Sequence, residues 1–84
     1  MNKNELYQQA MGLKRSAEKA LNTGKADDPA ESIVRRAAQN LIWSAIRCDT
    51  NGSGMDSLQT SPDMKWSEVY AVAAAVSDFA RDGN

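Results

Sequence analysis

Residues 66–80 read WSEVYAVAAAVSDFA. This stretch decides whether the chain contains a sheet. Its VYAV segment (69–72) carries the β-branched and aromatic residues that strands favour. A half-buried strand, however, alternates apolar and polar side chains with a period of two. From Val69 to Val76 no such alternation exists, and four of the eight residues are alanine, the strongest helix former. Trp66, Val69, Ala73, Val76 and Ala80 recur at spacings of three and four, which places them on one face of a helix. Tyr70, Val72 and Phe79 widen that face. The spacing predicts a helix over 62–81, with Ser61 and Pro62 as cap and first residue and Gly83 at its end. The small side chains of AVAAAV would let another helix approach closely.

The same periodicity runs back through the chain. Leu6, Ala10, Leu13, Ala17 and Leu21 form one face of a helix over 4–22, with Tyr7, Met11 and Ala20 beside it. Asn4 is the expected N-cap, and Gly24 stands where a left-handed residue closes a helix. Gly12 lies inside this pattern at a cost of about 1 kcal/mol relative to alanine. It either lets a second helix come close or is simply tolerated. A second helix is expected over 29–48. Asp28, Pro29 and Glu31 fit a capping box with proline in the first helical position. Its inward stripe would be Ile33, Val34, Ala37, Leu41, Ala45 and Cys48. Leu41, Ile42, Trp43, Ala45 and Ile46 cover most of the circumference, so the end of this helix is expected to be buried on more than one side.

No strand pattern, internal repeat or low-complexity linker interrupts these segments. The expected fold is all-α, a small three-helix bundle in one domain over 1–84. The first two helices would form a hairpin, with a third helix after a longer loop. At 84 residues the chain buries only about two-thirds of the surface it exposes when unfolded. Thirteen alanines match the combined number of Leu, Ile, Val and Phe. Such a thin core favours an oligomer or a partner, either of which adds buried apolar area.

Charge divides along the chain. Residues 1–47 carry +3 and residues 48–84 carry −4, within a net charge of −1. The single cysteine, Cys48, rules out an internal disulfide and fits a reducing compartment. The N-terminus lacks the apolar run of a signal peptide, and no segment is long enough to span a bilayer. A soluble cytoplasmic protein is expected.

Catalytic chemistry finds little support. The chain has no histidine, which removes the commonest general base and metal ligand. It has no phosphate-binding glycine loop, and Cys48 sits near a helix C-terminus, where the dipole disfavours a thiolate. No enzyme activity and no cofactor are expected. DTNGSGMDSLQT (49–60) invites comparison with a calcium-binding loop, because Asp49, Asn51, Ser53 and Gly54 occupy places 1, 3, 5 and 6. Thr60 at place 12 cannot supply the bidentate carboxylate, and Asp56 stands where an apolar residue is usual. A polar loop with glycine turns, without metal, is the expected outcome.

Direct nucleic-acid binding is disfavoured by an isoelectric point near 5.2 and by the long, polar NTGKADD connection (22–28), which is no helix-turn-helix turn. The expected function is therefore a small non-catalytic protein-binding module. It would act by occluding its target, in the manner of accessory or inhibitory proteins of phages and mobile elements. The alternatives are a nucleic-acid-associated transcriptional regulator and a calcium-responsive helical protein. Candidate interface residues are Tyr7, Trp43, Ile46, Asp63, Glu68 and Asp78. The three carboxylates would suit a basic, nucleic-acid-binding protein as partner. Trp43 and Ile46, or the alanine face of the third helix, would support a homodimer.

Overall fold

The computed structural model describes residues 2–82. Helix α1 spans Lys3–Asn22, α2 spans Ser32–Cys48 and α3 spans Trp66–Asp82, with a short 3-10 turn at Met55–Ser57. The chain is an all-α three-helix bundle, and VYAV lies within α3. Among the described residues the one sheet-like pairing is an isolated bridge between Pro29 and Lys65.

Helices α1 and α3 form the most extensive packing pair, rather than the adjacent α1 and α2. They run antiparallel: the Lys3 ammonium lies 4.4 Å from the Phe79 ring centre, and that of Lys14 lies 5.8 Å from Tyr70. Ala10, Ala17 and Ala73 retain no exposure, which fits a close approach of backbones. Leu6, Leu41, Ile42, Val69, Val72 and Val76 supply the larger core side chains. Met55 and Met64, from the connection before α3, complete the core.

The termini of α1 follow local chemistry. The cap is Asn2, two residues earlier than expected, and its Oδ1 accepts from the Glu5 N–H at 2.8 Å. At the other end Gly24 adopts φ 80°, and its N–H donates to Leu21 while that of Lys25 donates to Ala20. This is the glycine closure that the sequence predicts.

The starts of α2 and α3 depart from expectation for one shared reason. The Asp28-Pro29-Glu31 segment does not cap α2, which begins at Ser32 with Glu31 in the cap position and no side-chain cap bond. Instead its backbone meets the start of α3. Trp66 N–H donates to the Asp28 carbonyl, Ser67 N–H to Ala26, and Ala30 N–H to Met64. The first two satisfy N–H groups that the start of α3 leaves without intrahelical partners, and the third ties the segment before α2 to the one before α3. Glu68 adds its side chain, accepting from the Lys65 N–H at 2.9 Å. Helix α3 therefore starts at Trp66, after a turn through Pro62, with Met64 buried beneath it. Gly83 lies outside the described residues.

Helix α2 turns Val34, Leu41, Ala45 and Cys48 to the core as expected, but not Ile33 and Ala37. Its buried line is Ala38, Leu41, Ile42 and Ala45, whereas Ile33 is 73% exposed and Ala37 is exposed. Its later turns are not enclosed on every side, because Trp43 and Ile46 face outward.

The connection from Asp49 to Lys65 has a topological task. The bonds above join the starts of α2 and α3, while Asn51, Ser53 and Met55 lie beside Asp78 and Phe79 near the other end of α3. Helices α2 and α3 thus run parallel. The connection must return the whole length of α2, about 25 Å for 17 residues. It is held on the way. Asp49 Oδ1 and Oδ2 accept from the Ser53 and Met55 N–H groups at 2.7 and 3.1 Å, and the Thr60 hydroxyl donates to Gln39 Oε1.

Candidate functional site

The outward face of α2 is set by helix geometry. Ile33, Arg36, Asn40, Trp43 and Arg47 recur at spacings of three and four, form one line along the helix and are all exposed. Ile46, 39% exposed, flanks the line on one side. Ile33, Trp43 and Ile46 are the exposed large apolar side chains among the described residues, and all three belong to α2.

This helix is also cationic. It carries Arg35, Arg36 and Arg47 and no carboxylate. Arg35 turns back to the Ala30 carbonyl. Neither Arg36 nor Arg47 has an ion-pair partner among the described residues. The ridge is therefore apolar at intervals, with two uncompensated guanidinium groups between.

Beside it runs a groove of about 490 Å³ between α1 and α2. Gly12, Leu13 and Ser16 form one wall, and Ile33, Ala37 and Leu41 form much of the other. One residue of its α1 wall, Gly12, has no side chain. A Cβ built at Gly12 would meet nothing within 4 Å, so this residue does not bring two helices together. It leaves space where a side chain would fill the gap.

The expected interface residues separate in the fold. Trp43 and Ile46 share the α2 face. Tyr7 is half-buried on α1, beside Ala80 and Arg81 at the end of α3, and does not line the groove. Asp63 is exposed in the turn before α3, Glu68 serves the start of that helix, and Asp78 pairs with Arg81 at 3.1 Å. Glu68 and Asp78 stand about 15 Å apart along α3. The three carboxylates do not converge on one spot. Sequence reasoning missed Ile33, which looks like a core residue. The signal that could have found it is the 33–36–40–43–47 spacing, which mixes apolar residues with arginines.

Within the loop at 49–60, the Asp49 carboxylate holds the Ser53 and Met55 amides and the Ser57 hydroxyl donates to the Gly54 carbonyl. The Ser53 amide, and after it that of Met55, hold the Asp49 carboxyl below its ordinary value. Gly52 and Gly54 adopt φ of 69° and 89°. Among the described residues no group of three or more His, Cys, Asp or Glu side chains could hold a metal ion, and no helix is long and apolar enough to cross a membrane. Cys48 is half-buried against the core.

No protein-family model, curated protein or solved structure matches the chain.

Proposed function

We propose that the chain is a non-catalytic protein-binding module whose docking face is the outward ridge of α2 with the adjoining α1–α2 groove. One observation carries the reading: every large apolar side chain left exposed lies on this one helix, among the described residues. A small domain with a thin core gains most by burying such residues inside, and their restriction to one helix face favours a contact surface there. Trp43 is the natural anchor, because tryptophan with arginine dominates the energetics of interfaces. A domain that binds without a reaction acts by covering or bridging its target.

Differential capture tests the reading. The wild-type chain and an Ile33→Asp/Trp43→Ala variant are immobilised side by side and exposed to a lysate of the source cells. Both should show the same helical circular dichroism, because both positions are exposed. The expected result is a protein retained by the wild type and lost from the variant. Identical retained sets would refute the α2 face as the docking surface.

A further inference from the structure

We infer that the occupant of the groove is an acidic amphipathic helix of a partner protein. The inference rests on the α2 face being the docking surface.

The shape favours a helix. Gln9, Gly12 and Ser16 on one wall, and Ile33, Ala37 and Asn40 on the other, recur at spacings of three and four. A third helix laid between two such rows interdigitates with both, and here it would turn the three helices into a four-helix arrangement. Its apolar stripe would fill the space that Gly12 leaves and cover the exposed part of Ile33.

The charge favours an acidic one. Arg36 and Arg47 stand eleven residues apart on the ridge, about 16 Å. No carboxylate belongs to α2, and neither arginine has an ion-pair partner among the described residues. Carboxylates flanking the partner's apolar stripe would supply both counter-charges, and planar bidentate pairing suits arginine. A second copy docked α2 against α2 would bring the arginines of both protomers together, with no carboxylate from either helix between them. Charge therefore points away from self-pairing here.

The test uses the full chain and two synthetic helical peptides of about 18 residues, long enough to hold helix in water. Both carry leucines at i, i+4, i+7 and i+11. One has glutamates flanking the stripe, the other lysines. Binding is followed by amide chemical shifts of the labelled protein. The expected result is displacement of the Gly12, Ile33 and Asn40 signals by the acidic peptide, at least about tenfold more tightly than by the basic one. An Arg36→Glu/Arg47→Glu variant should reverse the preference. Equal affinity for both peptides would overturn the acidic assignment while leaving the docking face standing. No displacement by either would remove the docking face as well. Tighter displacement of the same signals by duplex DNA would assign the face to nucleic acid. Displacement caused by raising the protein concentration alone would assign it to a second copy.

Discussion

The Trp66 N–H donates to the backbone carbonyl of Asp28 at 3.1 Å. This bond gives Asp28 a role different from the one its side chain suggests. The residue serves the start of α3 through its main chain, and its carboxylate caps nothing at α2.

The distinction can be measured. Asp28→Ala should change unfolding free energy by less than about 0.5 kcal/mol, because the carbonyl remains. Asn2→Ala removes a side-chain cap and should cost about 1 kcal/mol. Urea unfolding of the two variants decides it. A larger loss for Asp28→Ala would restore the capping box.

Gly12 separates stability from space. Gly12→Ala should stabilise the chain by about 1 kcal/mol, since alanine is the better helix former and its Cβ meets nothing within 4 Å. Gly12→Phe should remain folded while occupying the groove. Thermal unfolding checks both. A fall in midpoint for the alanine variant would mean that the glycine is needed for backbone reasons.

Ile42 and Trp43 are neighbours with opposite environments, at 1% and 53% exposure. Ile42→Ala should cost about 3 kcal/mol through lost burial and a residual cavity. That is a large share of the stability of a small domain. Trp43→Ala, measured in the same unfolding assay, should cost less than about 1 kcal/mol. Equal losses would place Trp43 in the core.

The loop should respond to acid. Because the Asp49 carboxyl is depressed in the folded chain, chiefly by the Ser53 amide, its ionised form favours folding. That contribution is complete above the ordinary carboxyl value of 3.8 and is lost as pH falls through the lower folded-state value. Protection of the Ser53 and Met55 amides against exchange, taken relative to the intrinsic rate at each pH, should therefore fall below about pH 4. In Asp49→Asn this acid-dependent component should disappear. An unchanged acid response in that variant would exclude Asp49 as its source.

How much of this was legible in the sequence depends on how local the cause is. The fold class and the closure of α1 at Gly24 follow from periodicity and from backbone freedom within a few residues. The starts of α2 and α3 do not, because each depends on hydrogen bonds between segments more than thirty positions apart, such as Ala30 with Met64. The inward face of α2 was ambiguous in the letters themselves. Ile33-Val34, Ala37-Ala38 and Leu41-Ile42 are adjacent apolar pairs, so the stripe can be drawn through either member. Packing buried Ala38 together with both Leu41 and Ile42, and left Ile33 and Ala37 to solvent. The groove was invisible for a related reason: Gly12 has no pattern to contribute, and only the opposite wall shows that it stands before a gap.

The antiparallel pairing of α1 with α3 has a consequence for synthesis. Helix α1 leaves the ribosome before α3, its main packing surface, and before the connection from Asp49 to Lys65 that separates them. A helix within a protein owes most of its stability to tertiary packing, so the nascent chain gains little stability turn by turn. The cost of closing the long intervening segment precedes the reward of packing. The three helices should therefore remain open until the alanine-rich α3 has emerged, and then close in one step.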